Sequence, residues 1–458
     1  MNKVLEFLKE NQDIFIKEIS EFISIPSVSA NPERKGDVRG CAEFLISNLK
    51  SIGMENVKLF ETPGNPICYA DWLHAPNAPT VLIYGHYDVQ PEDPIELWNH
   101  PPFKGTVIGD ELFGRGATDD KGQLWIHVKA VEAYLKNGNK LPVNIKFILE
   151  GEEEIGSHNL EPFVEEHRDL LKADVLLVSD TAWFARGVPS IVYGVRGLAY
   201  IQVDVTGPKQ DLHSGRFGGA VVNPINALAE IISRLKDENG RITIPRFYDD
   251  VADLSHAEKK QITMLPFNEN GFKEYVGTDY LSGEKGFSTL ERLSVRPTLD
   301  VCGIWGGFQE QGTKTVLPSK AGAKISMRLV PNQNPHKIGE MAKEYIIKIA
   351  PRGVKIEIQI FPPMLPGVVP IDSPAMKAAA EALKEASGKT PLFQREGGSI
   401  PVAADFKRIL GLDTVFMGFG LPDENAHSPN EKLNLNNFFI GLKASAIFFE
   451  KFGKLQNG

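Results

Sequence analysis

Short apolar runs recur along the chain and alternate with amphipathic stretches. Val81-Leu82-Ile83-Tyr84, Val143 to Leu149, Val175-Leu176-Leu177-Val178 and Thr414 to Gly418 are brief and rich in β-branched side chains, the pattern of strands buried on both faces. Gln123 to Leu135 reads as a helix, as does Ala375 to Ala386, which Asp372-Ser373-Pro374 opens and Gly388 stops. Near the N-terminus, Phe15, Ile19, Phe22 and Ile23 recur at helical spacing; one helix is expected over residues 3–25, ending before Pro26, and another from about Gly40 to Leu49.

The texture changes from about Gly197 to Leu365. Tyr200 to Val205, Lys324 to Val330 and Val354 to Ile360 alternate apolar and polar positions, as antiparallel strands with one covered face do. Pro224 to Leu235 and His336 to Ile349 read as the covering helices. This places an inserted α+β domain at 197–365, within a discontinuous domain formed by 1–196 and 366–458. Residues 241–299 are irregular and charged, and no element is assigned there.

The chain has 458 residues, too many for one ordinary core, and its 42% hydrophobic and 24% charged residues are the balance of a globular protein. A formal net charge of −9 argues against nucleic acid or an anionic membrane as the main partner. Cys41, Cys68 and Cys302 are odd in number and widely spaced, which disfavours a thiolate metal site and favours a reducing compartment. Met1 to Glu10 is charged throughout, unlike a signal peptide, so a cytoplasmic location is expected.

Chemistry gathers where the four apolar runs end. They lead into His86-Tyr87-Asp88, Glu150-Gly151-Glu152-Glu153-Glu154, Ser179-Asp180 and, in the loop beyond the last, His427. The crevice outside the carboxyl ends of parallel strands is where open α/β sheets bind ligands. Four carboxylates crowded into 150–154 repel one another and lose hydration, a cost that a cation relieves. His86 and Asp88, two apart on extended backbone, share a face. Asp119-Asp120 follows a glycine-rich turn, and a carboxylate there has two oxygens with which to bridge two cations. Of the adjacent Glu153 and Glu154, one is suited to ligate metal and the other to act as general base. Glu150 and Glu152 are expected to be solvated. Two histidines and three carboxylates suit zinc or manganese better than calcium. Gly114 to Gly122 lacks dinucleotide-fingerprint spacing, and no Gly-x-Ser-x-Gly elbow is present.

These residues, in this order, resemble the M20 metallopeptidases, and most closely their dipeptidase branch, which includes carnosinases and cytosolic non-specific dipeptidase. The resembling motifs are Tyr84 to Pro91, Gly114 to Gly122, Glu153 to Ser157, Ser179-Asp180, Asp211 to Gly215, Arg395 to Ser399 and His427 to Glu431. The fold expected is α/β: a catalytic domain with a mixed, mostly parallel sheet flanked by helices, plus an inserted α+β, ferredoxin-like lid. The resemblance implies two divalent ions per subunit, Zn2+ first and Mn2+ or Co2+ as alternatives. By motif position His86 and Asp180 hold one ion, Glu154 and His427 the other, and Asp119 bridges. Glu153 is then the base, Asp88 orients His86, and the Asp119–Asp120 peptide is cis. His213 polarises the scissile carbonyl from the neighbouring subunit of a homodimer formed through the lid. Thr315, Arg328 and Ser399 match positions that hold the substrate's carboxylate end. Tyr87 is bulkier than the residue expected between His86 and Asp88, and is expected to narrow the site.

The activity expected is hydrolysis of dipeptides or short peptides by metal-activated water. One rival reading is deacylation of N-acyl amino acids, as in relatives of acetylornithine deacetylase or succinyl-diaminopimelate desuccinylase. Another is a metal-stabilised protein that binds a small ligand without turnover, against which the spare carboxylate Glu153 argues.

Overall fold

The computed structural model describes residues 1–138, 140–398 and 401–455. Contacts divide it into two compact units. The first comprises Met1–Tyr193, Val369–Gln394 and Asp405–Gly458, and the second Gly194–Val368 with Arg395–Ala404. The second unit thus takes in a short return segment, 395–404, that lies outside the 197–365 insertion expected from the sequence.

In the first unit a twisted sheet has the strand order Glu55–Phe60, Ile67–Trp72, Asn144–Glu150, Thr80–His86, Val175–Val178, Thr414–Phe416, Ser190–Val195. The four strands from Asn144–Glu150 to Thr414–Phe416 run parallel, and the flanking pairings are antiparallel. The sheet is therefore mixed and mostly parallel at its centre. Its central strands are buried along almost their whole length, which explains why they read as unbroken apolar runs.

Helices Lys35–Ile52, Lys121–Lys136, Pro374–Ser387 and Leu435–Leu455 contribute to one continuous core with the sheet. Pro374–Ser387 begins at Ser373, whose side chain accepts the Met376 N–H, and ends at Gly388 with φ +73°. The single N-terminal helix expected over 3–25 is two helices, Asn2–Glu10 and Gln12–Ile23. They break at Asn11, whose backbone leaves the helical region and whose side-chain amide donates to the Phe7 carbonyl at 2.8 Å.

The second unit has a four-stranded antiparallel sheet in the order Thr298–Gly306, Lys320–Leu329, Gly197–Thr206, Lys355–Ile360. With helices Pro224–Ser233 and Pro335–Ile349 this makes a β-α-β-β-α-β unit with ferredoxin-like strand order. Gly197–Thr206 is buried at every second residue, and Ile201, Val203 and Val205 join Leu228, Ile231, Ala342 and Ile346 in a separate core. The segment left unassigned from sequence holds three short helices, His256–Met264, Glu269–Val276 and Thr289–Ser294. Capping boxes at Ser255 and Ser288 open the first and third.

Candidate metal centre

The carboxyl ends of the parallel strands and two loops from distant parts of the sequence meet in the first unit. His86 ends strand Thr80–His86, Glu153 and Glu154 lie in a 3-10 turn after Asn144–Glu150, and Asp180 follows Val175–Val178. Asp119 comes from the glycine-rich turn before helix Lys121–Lys136, and His427 from the loop after Thr414–Phe416. Gly116 permits that turn, since its φ is +83° and a Cβ there would lie 2.5 Å from Val89 Cγ1.

Two overlapping groups result. His86, Asp119 and Asp180 present ligand atoms within 4.8 Å of one another, and so do Asp119, Glu154 and His427. Asp119 belongs to both. Its Oδ1 lies 3.0 Å from His86 Nε2 and its Oδ2 lies 2.9 Å from His427 Nε2. The Asp119–Asp120 peptide is cis. His86 is fully buried, whereas the His427 side chain is 55% exposed, so the cluster opens towards solvent on that side.

Electrostatics follow from crowding. At Asp180 burial first, and then the Asp119 charge, push the pKa up to about 7. Glu153 rises to about 8, chiefly through burial, with Asp180, Asp119 and Glu154 raising it further and His86 opposing. His427 is pushed up to about 11 by its hydrogen bonds to Asp119 and Glu154. His86 is lowered by burial, but hydrogen bonds to Asp119 and Asp88 outweigh this and hold its pKa well above the usual value. Such a cluster wants positive charge at its centre. The donor set of two imidazoles and three carboxylates, with one carboxylate facing both ways and no thiol, fits a pair of borderline divalent cations.

Asp88 was expected to orient His86, whereas Gln90 had no role from sequence. The Asp88 carboxylate accepts the main-chain N–H groups of Glu153 (3.3 Å) and Glu154 (3.2 Å), while His86 Nδ1 is closer to the Asp88 carbonyl (3.1 Å) than to its carboxylate (3.4 Å). Gln90 donates to Glu154 Oε2 at 2.7 Å. Its place inside the Tyr84–Pro91 motif was the available signal.

Glu150 and Glu152, expected in solvent, are buried. Glu150 accepts the Tyr84 and Ser157 hydroxyls at 2.6 and 2.9 Å, and Glu152 accepts from the Asn65 N–H and the Asn159 side-chain amide at 3.0 and 2.7 Å. They brace the turn that carries Glu153 and Glu154. Tyr87 does not narrow the site as expected: its ring is fully buried and its hydroxyl donates to the Pro66 carbonyl. Alternation on extended backbone turns it away from the face shared by His86 and Asp88.

The remaining candidates among the described residues, His213, Thr315 and Arg328, lie in the second unit. His213 is exposed and pairs with Val316 in a two-stranded ribbon, beside Thr315, whose carbonyl accepts the Ser214 N–H. The Gly215 N–H donates to His213 Nδ1 at 3.0 Å, which places the proton of a neutral ring on Nε2. Arg328 sits half-buried on strand Lys320–Leu329, and its charge adds to burial in lowering the Arg196 pKa to about 10. Arg196 donates to the carbonyl of Gly397 at 3.0 Å, and Ser399 lies outside the described residues.

Comparison with known proteins places these features in a lineage. The model of peptidase family M20/M25/M40 matches residues 82–451. The chain is 37% identical to the Cys-Gly metallodipeptidase dug1 of Schizosaccharomyces pombe, covering 100% of this chain and 99% of the relative. Among solved structures, the M20 family metallo-carboxypeptidase Sso-CP2 of Sulfolobus solfataricus aligns with TM-score 0.87 and 35% identity, covering 96% of this chain and 99% of the other. Human carnosine dipeptidase 1 aligns with TM-score 0.84 and 32% identity, covering 99% of each chain.

Proposed function

The chain belongs to peptidase family M20/M25/M40, and from that premise we propose that it is a dipeptidase with two metal ions and Glu153 as general base. The observation that carries this reading is Asp119, which faces both histidines through different oxygens while Glu154 and Asp180 stand on either side. His86 and Asp180 would hold one ion, Glu154 and His427 the other, and Asp119 both. When bound, the ions supply Lewis-acid polarisation and bring the pKa of water to about 7. Zinc is the first choice from the ligand chemistry, with manganese or cobalt next.

Glu153 takes the proton of the attacking water and returns it to the nitrogen of the departing amine as the C–N bond breaks. Without metal, burial and neighbouring carboxylates raise the Glu153 pKa; cations beside it would lower that value and favour the carboxylate form that a general base needs. Asp88 keeps Glu153 and Glu154 in register with His86 through their main-chain N–H groups. His213, with its proton on Nε2, is equipped to donate to the scissile carbonyl oxygen.

A substrate with a free C-terminal carboxylate is supported by the chemistry of Arg328, whose planar guanidinium suits that group, and Thr315 and Ser399 are given the same role by motif position. The names of the relatives, Cys-Gly and Beta-Ala-His dipeptidases, point the same way. A homodimer through the second unit is supported by its edge strand Thr298–Gly306, which exposes Val301, Ile304 and Trp305, with Phe308 just beyond. A cytoplasmic, reducing location is supported by the free Cys41, Cys68 and Cys302. Among the described residues no helix is long and apolar enough to cross a membrane.

Chelator treatment followed by add-back of single metals, assayed against dipeptides and N-acyl amino acids in parallel, tests the assignment. Metal-restored turnover of dipeptides is expected. Turnover confined to N-acyl amino acids would overturn the substrate class. The dimer is tested by mixing two inactive variants, Glu153→Gln and His213→Ala. Activity should return if His213 serves the site of a second copy, and its absence with a demonstrated mixed dimer would refute that role.

A further inference from the structure

Two loops more than 300 positions apart supply Asp119 and His427, and the buried carboxylate of Glu431 joins them. Glu431 is fully buried, and among the described residues every hydrogen bond it accepts comes from the turn that carries Asp119. Its Oε2 accepts from Arg115 Nη1 at 2.7 Å and from the Gly116 N–H at 3.1 Å. Its Oε1 accepts the N–H groups of Thr118 at 3.1 Å and of Asp119 itself at 3.2 Å. The Glu431 carbonyl also accepts the Gly114 N–H at 3.0 Å.

On the other side, Glu431 closes the loop that carries His427. That loop is backbone-strained: Asn425, His427 and Asn430 all have positive φ, at 57°, 61° and 63°. Such angles are uncommon outside glycine, least so for asparagine, and surrounding contacts help to hold them. Strand Lys432–Asn434, directly after Glu431, pairs with Glu111–Phe113, directly before the glycine-rich turn. A second buried carboxylate, Glu424, accepts the Thr118 hydroxyl at 2.6 Å and the main-chain N–H groups of Leu421 and Asn434.

We propose that Glu431 is a positioning residue that fixes Asp119 and His427 relative to each other, holding the shared carboxylate and its imidazole partner in place before any metal arrives. The inference rests on the reading of Asp119 and His427 as metal ligands. Glu431 touches neither substrate nor metal in this account. It acts through the Asp119 main chain and through the loop it terminates, with Arg115 neutralising its charge and anchoring to the Pro91 carbonyl at 3.0 Å.

The test uses Glu431→Gln and Glu431→Asp in the full-length protein. The amide keeps the length but turns an NH2 group towards N–H donors. The aspartate keeps the charge against Arg115 but is one methylene too short to reach both ends. Amide hydrogen exchange, measured on chelator-treated protein, should speed up by about tenfold or more at Thr118 and Asp119 while the sheet strands stay protected. Chelator competition should strip metal from the variants at about 10–100-fold lower chelator concentration than from wild type. With dipeptide substrate, kcat should fall while KM stays within about threefold. If Glu431→Gln fails to fold, the aspartate variant decides. A folded aspartate variant with wild-type exchange at Thr118 and Asp119 and wild-type metal retention would overturn the proposal. Wild-type protein that takes up no metal would instead overturn the ligand reading, and the exchange measurement would still decide the role of Glu431.

Discussion

The carboxylate of Asp88 receives the main-chain N–H of Glu154 at 3.2 Å, and this ties the strand end carrying His86 to the turn carrying the proposed base and ligand. A carboxylate can accept from Glu153 and Glu154 at once, one oxygen each. An amide has one acceptor oxygen, so Asp88→Asn turns an NH2 group towards one of these N–H donors. An unsatisfied buried donor costs about 1–3 kcal/mol. The expected result is a folded protein whose kcat/KM is about 10–100-fold lower and whose metal binds more weakly, read by steady-state kinetics and elemental analysis.

Removing metal should destabilise the first unit as well as stop turnover. Asp180 is already pushed up to about 7 by burial and the charges of Asp119 and Glu154, and Glu153 to about 8 by burial and the charges of Asp180, Asp119 and Glu154. A bound cation relieves this, and a ligand at a hundred times its Kd adds about 2.7 kcal/mol to the native state. Differential scanning calorimetry with and without chelator should show a transition lowered by about 5 °C or more, restored by zinc.

His127 supplies a pH prediction away from the metal cluster. Its Nε2 lies 2.6 Å from Ser179 Oγ, and since that hydroxyl donates to the Met417 carbonyl, Nε2 carries the proton; Nδ1 accepts from Ser445. Burial depresses its pKa to about 3 from the ordinary 6.5. Because the folded value is the lower one, the unfolded chain takes up the proton first as pH falls. The stability that His127 contributes is whole above pH 6.5 and is lost progressively between 6.5 and 3. Between pH 6.5 and 5 the loss approaches about 2 kcal/mol. Denaturant unfolding at both pH values should show it for wild type, and His127→Gln should reduce the difference.

How much of this could be read beforehand depended on whether a residue's partner is local. The four central strands were legible because burial on both faces leaves an unbroken apolar run, as in Val175–Val178. The helix Pro374–Ser387 was legible from its own cap residues. The break at Asn11 was not, because a side chain donating four residues back competes with the helix without interrupting the apolar spacing. Helix Leu435–Leu455 was missed: it is buried along most of its length, so its sequence lacks a polar face to mark the period. In the site, His86, Asp119, Glu154, Asp180 and His427 stood out by chemical type. Glu424 did not, and Glu431 entered only as the last residue of the His427 to Glu431 motif, since their partners Thr118 and Asp119 lie more than 300 positions away. Glu150 and Glu152 looked like a solvated acidic run until Tyr84, Ser157, Asn65 and Asn159 were found to surround them.

The exposed ring of His213 separates activity from stability. It packs into no core, so His213→Ala should change unfolding free energy by less than about 0.5 kcal/mol. If its Nε2–H stabilises charge on the carbonyl oxygen, kcat should fall by about 100-fold or more. Parallel unfolding and kinetic measurements check both halves.

Glu154 and Glu153 are neighbours with opposite assignments, and the central claim is that one holds metal while the other moves a proton. Metal content and turnover of Glu153→Gln, measured on the same preparation, test it most directly. Two ions per chain, as in wild type, are expected, with kcat reduced by about a thousandfold or more. Turnover near the wild-type rate, or loss of an ion in this variant, would contradict it.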